Sequence, residues 1–266
     1  MAAQTPHARA DGGAARKILL PAGIVLLILA VWEVVVRAGW VDDLILPSPT
    51  QVATSLWEDR SLLGSDLAVT SKEVLVGLAA AVVVGGLLGV AMHVSPAVRN
   101  ALRPLVIGSQ AVPVPVIAPL LILVLGFGLA PKVLLVALVC FFPVAINLFD
   151  GLRRVDPDAL KLMRSFDASR WQTFRLLEAP AALPATFTGL KVAAAVSVIG
   201  AVFAEWAGSD SGLGHALLTA NGQLETARAF AATFLLFALA VLLYGVFALL
   251  ERRVVDWTPR SSPGGP

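Results

Sequence analysis

In a chain of 266 residues, 58% apolar and 14% charged side chains depart far from the usual quarter charged, and a water-soluble fold of this size has no interior large enough for so much apolar surface. The net charge of +2 is too small to imply a nucleic-acid partner, the single Cys140 excludes an intramolecular disulfide, and His7, His93 and His215 lie too far apart in sequence to suggest a metal site. No Gly-rich loop ending in Gly-Lys-Ser/Thr is present, so any use of ATP belongs to another subunit and no cofactor is implied.

Residues 1–17 read as a disordered tail, polar and poor in order-forming residues. The apolar stretch that follows is too long, and lacks a cleavage site, for a removable signal peptide, so it is expected to stay as a helix. A spanning helix needs about 20 mainly apolar residues. Six segments qualify, roughly 18–38, 70–92, 104–125, 131–150, 186–206 and 229–250, which makes the expected fold all-α and polytopic. Residues 18–252 form the membrane domain and 253–266 a second tail. With the N-terminus inside, Arg99, Arg103, Arg153, Arg154, Lys161, Arg164, Arg170, Arg175, Arg252 and Arg253 fall on the inner side together with the basic residues of the tails. Arg37, Arg60, Lys72, Lys132 and Arg228 fall outside, and this asymmetry puts both termini in the cytoplasm.

After the first span, an outer loop with Asp42, Asp43, Glu58, Asp59 and Asp66 is expected to hold a short interfacial helix over 48–57. The second span carries Gly77, Ala81, Gly85 and Gly89, a small residue every fourth position that lets another helix approach closely, either within one bundle or across a dimer seam. The third contains Gln110, Pro113, Pro115 and Pro119; proline frees backbone carbonyls, and irregular backbone at membrane depth is tolerated only inside protein or beside a wet cavity. It is either a kinked packing helix or the lining of a path, to which Asn147 of the fourth span is a further candidate.

Residues 153–184 form the one long polar segment between apolar runs. Asp156 followed by Pro157 is a strong helix start, and Ala159, Leu162, Met163 and Phe166 then fall on one face to about Phe166. Ser169 with Gln172 three residues on is a capping-box pattern for a second short helix carrying Trp171, Phe174 and Leu177, with Pro180 and Pro184 as its end. In the fifth span Gly189, Ala193, Ser197 and Ala201 make a small-residue ridge, with Glu205 at the next step. Charges in membranes suggest function by default, yet Glu205, like Glu33 and Lys191, lies near a boundary where water is within reach. Trp206 is an interfacial anchor or a platform for a flat ligand, and Gly208, Gly212 and Gly214 give a flexible outer loop.

The run ASRWQTFRLLEAP (168–180) resembles the cytoplasmic Glu-Ala-Ala loop of binding-protein-dependent ABC transporter permeases, the loop that docks on the ATPase subunit. Lys161, Leu162 and Met163 stand where that family has its eponymous residues, Asp167 where it has glycine, and Leu177, Ala179 and Pro180 where its closing residues fall. The spacing matches and the four signature residues do not; Asp tolerates a left-handed backbone, so Asp167 keeps the turn available. LPSPTQV (46–52), GFGLAPK (126–132), Phe142-Pro143 and EWAGSDSGLG (205–214) are similar to the nitrate, sulfonate and taurine permease group, with the nearest likeness to permeases for the pyrimidine precursor of thiamine. The resemblance implies a type I importer permease in a bacterial cytoplasmic membrane, working as a homodimer with an ATP-binding subunit and an extracytoplasmic solute-binding protein. It makes Leu162, Met163, Phe166, Asp167, Ala168, Ser169, Arg170, Trp171, Phe174 and Pro180 the ATPase-coupling residues. Gln110, Pro113, Pro115, Asn147, Glu205 and Trp206 are the candidates for a solute path. A stand-alone secondary carrier would show repeated halves and buried ionisable groups near the midplane, and a membrane enzyme a nucleophile with its base; neither pattern is visible.

Overall fold

The structure, a computed structural model, describes residues 12–255, and these are helical with no strand among them. The expected tails fall partly outside: residues 1–11 and 256–266 are not described, while α1 (Gly12–Arg37) already includes residues 12–17. By contact the chain divides into two units, one up to Arg60 with Ala220–Ala231, the other Ser61–Thr219 with the rest from Ala232.

In the first unit α2 (Pro49–Glu58) matches the interfacial helix expected from the sequence. The Ser48 hydroxyl accepts from the Gln51 amide at 3.2 Å and the Gln51 side chain accepts from the Ser48 amide at 2.7 Å, the reciprocal capping box, with Pro49 in the first turn where no donor is lost. Glu33 of α1 accepts from both the amide and the hydroxyl of Thr50, and from Arg37, so it holds the start of α2. Arg228 donates twice to Asp59, at 2.9 and 3.1 Å, and also to Glu225; the bond from Arg228 holds the Asp59 carboxyl below its usual range. Leu224 sits in the left-handed region at φ 60, exposed, beside a cavity of about 500 Å³ lined also by Asp43, Glu58 and Asp59.

The second unit is built on α6 (Leu129–Arg153), clasped between α3 (Arg60–Val94) and α9 (Ala179–Gly208). The two small-residue ridges make this possible. A Cβ added at Gly77 would stand 2.5 Å from Val136 Cβ, one at Gly85 2.7 Å from the Phe141 carbonyl, and one at Gly189 2.5 Å from the Pro143 carbonyl. The ridge of α3 is therefore a packing surface within one chain, which gives close backbone approach in a solvent without hydrophobic drive. Met92, Val106, Ala145 and Phe149 close one end of this core, and Ala118, Leu135 and Ala204 the other.

Two expected boundaries are corrected. The polar stretch before residue 70, read as loop, is the first part of α3, a helix of 35 residues and so about 52 Å long. Its side chains Leu63, Asp66, Thr70 and Glu73 are buried at helical spacing, and their tertiary bonds override the local polarity. The expected third span is two helices, α4 (Pro96–Gly108) and α5 (Val114–Leu125), bent by 102° about a 3₁₀ turn, Ser109–Ala111. Pro113 disfavours helical backbone in the residue before it, and Val112 is extended at φ −81, ψ 122. Among the described residues four helices, α3, α6, the continuous stretch ending in α9, and α11 (Thr226–Val254), are long and apolar enough to cross a membrane, or five with the bent pair as one broken span.

Candidate functional site

Two regions of the second unit carry polar chemistry. The first lies around α10 (Leu213–Gly222), a helix where the sequence suggested a flexible loop. Four successive backbone amides at its start are bound by side chains from other helices. Gly212 N–H reaches Asp66 Oδ1 at 2.9 Å, Leu213 N–H reaches Thr70 Oγ1 at 2.8 Å, and Gly214 and His215 N–H reach Glu205 Oε2 at 2.5 and 3.2 Å. The Thr70 hydroxyl in turn donates to Glu205 Oε1 at 2.6 Å. The orphan donors of a helix start are thereby satisfied by one hydroxyl and two carboxylates, the carboxylates also complementing its dipole. Gly212, at φ 106, leaves no room for a Cβ, which would collide with the Glu205 carboxyl. Beside this, Lys132 Nζ donates to Glu73 Oε1 and to Ser209 Oγ, each at 2.6 Å, tying α6 to α3 and to the end of α9.

Glu205, only 1% exposed, thus serves as the cap of α10, and Trp206 donates from Nε1 to the Gly214 carbonyl at 2.9 Å. The Glu205 carboxylate and the Trp206 N–H are thus taken up by hydrogen bonds within the fold. Gln110, Pro113 and Pro115 are exposed together at the break between α4 and α5, whereas Asn147 on α6 donates to the Pro143 carbonyl at 2.8 Å and packs under Gly189. These candidates are not drawn into one cluster. Lys191 is bound to Glu251 at 2.7 Å.

The second region is the polar segment that joins α6 to α9. α7 (Pro157–Ser165) is capped by Asp156, whose carboxylate accepts from the Asp158 amide at 2.8 Å. It ends in a Schellman turn: Ala168 N–H bonds the Met163 carbonyl at 3.1 Å and Asp167 N–H the Arg164 carbonyl at 3.0 Å, with Asp167 at φ 51. Asp167 makes the left-handed turn that glycine ordinarily makes. α8 (Arg170–Thr173) follows with the capping box of Ser169 and Gln172. The expected stop at Pro180 and Pro184 is corrected, because the chain passes through a π-helical turn, Phe174–Glu178, straight into α9, which contains both prolines. Pro180 lies in the first turn after that widened turn, where its missing donor falls beside an already irregular ladder.

The segment exposes apolar groups that folding would otherwise hide: Phe166 is 74% and Trp171 67% exposed, with Leu162 and Leu176 beside them. Trp171 stacks on the half-buried Phe174 at 5.8 Å between ring centres. Ala168, Arg164, Arg170, Trp171 and Phe174 line a cavity of about 660 Å³ together with Val90, His93 and Val94 of α3. Residues that sequence reasoning passed over are Glu73, Thr70, Lys132, His93 and Glu178. One signal was available, since stepping the Gly77 ridge back by four residues lands on Glu73.

Comparison with known proteins gives this geometry a context. Residues 81–256 match the family described as binding-protein-dependent transport system inner membrane component. The chain is 36% identical over 228 residues, 86% of this chain and 93% of the other, to a probable ABC transporter permease protein of Haemophilus influenzae. It is 32% identical over 240 residues, 90% of this chain and 96% of the other, to the formylaminopyrimidine transport permease protein ThiX of Halalkalibacterium halodurans. Further relatives are named for riboflavin, aliphatic sulfonates, taurine and nitrate. A solved structure titled as an amino acid ABC transporter with histidines aligns with a TM-score of 0.60 at 16% identity, covering 75% of this chain and 97% of the other, and so shares the fold. The chain belongs to the binding-protein-dependent transport system inner membrane components and is the multi-pass permease subunit of an ABC importer for a small solute, with ATP hydrolysis carried by a separate subunit.

Proposed function

We propose that residues 157–178 are the coupling element, docking on the ATPase with Phe166, Trp171, Leu162 and Met163 as apolar anchors and Arg164 and Arg170 as rim charges. The observation that carries this reading is the exposure of Phe166 and Trp171 on a segment fixed by two capped helices and a Schellman turn. Buried aromatic anchors dominate interfaces, with truncation costing about 2 kcal/mol or more, while rim charges tune rates. Phe166→Ala with Trp171→Ala is expected to leave expression intact, abolish uptake and release the ATPase on detergent extraction. Full uptake with the ATPase still attached would refute it. Phe174, under Trp171, is the support of the anchor.

In this reading both termini face the cytoplasm, residues 1–11 and 256–266 are cytoplasmic tails, and a second copy of the chain completes the path. The cavity near Leu224 receives the solute-binding protein. Cysteines placed at Asp59 or Asp210 should be labelled from outside in intact cells and one at Arg170 should not; labelling at Arg170 would reverse the orientation.

For the solute, a small flat pyrimidine of the thiamine-precursor kind is favoured over nitrate, taurine or another sulfonate. A relative named for a formylaminopyrimidine supports it. So does the engagement of Lys132 by Glu73, since an anion path wants free positive charge or open helix N-termini, and the start of α10 is filled by Glu205. Gln110, Pro113 and Pro115 at the α4–α5 break, with Asn147, remain the path candidates. Uptake should be competed by hydroxymethylpyrimidine and not by taurine or nitrate; the opposite pattern would give the path to sulfonates or nitrate.

A further inference from the structure

We propose that His93 and Glu178 form the positioning link through which α3 follows the coupling segment. The proposal rests on the coupling role argued above and goes beyond it, because the covalent connections of that segment run only to α6 and α9, and α3 has no such tie.

His93 lies in the last turn of α3, and its Nε2 stands 2.9 Å from Glu178 Oε2, both side chains being mostly buried. Glu178 is the final residue of the π turn. Among the described residues, every other side-chain hydrogen bond made from residues 157–178 stays inside the segment or its own cap: Lys161 to Asp158, Ser165 to Leu162, Ser169 with Gln172, and Asp158 with Asp156. The imidazole–carboxylate bond is the one such bond that leaves for another helix.

Next to His93, Met92 clusters with Ala145 and Phe149, so the packing of α3 at this end is on α6. On the side of the coupling segment, Val90, His93 and Val94 line a cavity of about 660 Å³ together with Trp171 and Phe174. Across an open cavity, apolar side chains transmit little push or pull; a hydrogen bond at its edge transmits both. The position of Glu178 matters as well. A π turn holds its residues by wider, weaker ladder geometry than an α-helix, and such turns recur at functional sites because they yield locally. Glu178 lies where the capped α8 gives way to α9, so displacement of the segment reaches its carboxylate before it reaches the clasp of α9 on α6. The bond needs a donor on His93 and an acceptor on Glu178, not a particular charge state: Nε2–H donates in the neutral ring with that tautomer and in the imidazolium.

The consequence for α3 is specific. Its far end carries Asp66, Thr70 and Glu73, the groups that cap α10 and bind Lys132, so a helix coupled at His93 connects the ATPase side to the polar network at the other end of the same rigid element.

The test uses the permease assembled with its ATPase subunit and two reporter positions exposed on the helices concerned, Leu87→Cys on α3 and Val192→Cys on α9, carrying spin labels. Cys140 is fully buried and leaves these labels selective. Trapping the ATPase with vanadate and ATP should change the spectrum at both positions in the parent. With His93→Ala or Glu178→Ala, the Leu87 response should fall about five-fold or more, the lower range of ordinary coupling between sites, while the Val192 response persists. His93→Gln, which keeps an amide donor, should restore it. The exchange His93→Glu with Glu178→His should do the same where either change alone does not, which separates the link from simple misfolding. An undiminished Leu87 response in both alanine variants would overturn the proposal and leave the coupling role standing. Absence of any response at Val192 in the parent would overturn the coupling role itself and this link with it.

Discussion

Glu205→Ala is expected to cost about 3 kcal/mol of folding stability, because one buried and one part-buried amide of α10 lose their acceptor and each buried orphan costs about 1–3 kcal/mol. The amides are those of Gly214 and His215, and the Thr70 hydroxyl loses its acceptor at the same time while still receiving the Leu213 amide. No water replaces the carboxylate readily, since the side chain is 1% exposed and Gly212 closes over it. Glu205→Gln keeps one oxygen for the α10 amides and turns an NH₂ toward Thr70, so its loss should be smaller. Thermal unfolding in detergent, followed by loss of the monodisperse size-exclusion peak, should rank parent, Gln and Ala in that order. An Ala variant that melts with the parent would mean that α10 is not held by this network.

Gly189→Leu should disrupt assembly of the second unit at the upper end of the roughly 1–3 kcal/mol that overpacking costs, or beyond it. A Cβ at that position would stand 2.5 Å from the Pro143 carbonyl oxygen and 2.8 Å from Asn147 Cβ, so the nearest atom is backbone, which has no rotamer to change. The helices would have to part along the ridge that brings α9 onto α6. Gly86→Leu supplies the control, for it lies one residue from the tightly packed Gly85 and a Cβ there meets nothing within 4 Å. Purified yield and melting of the two variants should separate clearly; equal behaviour would show that α9 packs on α6 differently.

What the sequence made legible was what local chemistry determines. Asp156 and Ser169 announced their caps, Asp167 its left-handed turn, and the four-residue small-residue rows their packing role, because each depends on neighbours within a turn or on the geometry of one helix face. What stayed hidden depends on partners far along the chain. Glu205 reads as a charge near a membrane boundary until Thr70, 135 residues away, is found against it, and Asp66 reads as loop polarity until Gly212 arrives from 146 residues on. The bend at Pro113 was visible as proline, but its size was not. The π turn had no sequence signal, because phenylalanine, arginine, leucine and glutamate fit an ordinary helix equally well.

That turn has a consequence for how relatives of this chain can differ. A π-helical turn is an α-helix carrying one surplus residue, so deletion of a single residue within Phe174–Glu178 would close the ladder to ordinary spacing without breaking the helix. Each residue of an α-helix advances about 100° and 1.5 Å. The deletion would therefore swing α8 by about 100° around the axis of α9 and draw it in by about 1.5 Å, carrying Trp171 off its present bearing while every side chain of α9 kept its place on α6. Length variation at this point would re-aim the exposed face of Trp171 independently of the membrane core, and on the coupling role proposed above it would let the ATPase partner change with the bundle held constant.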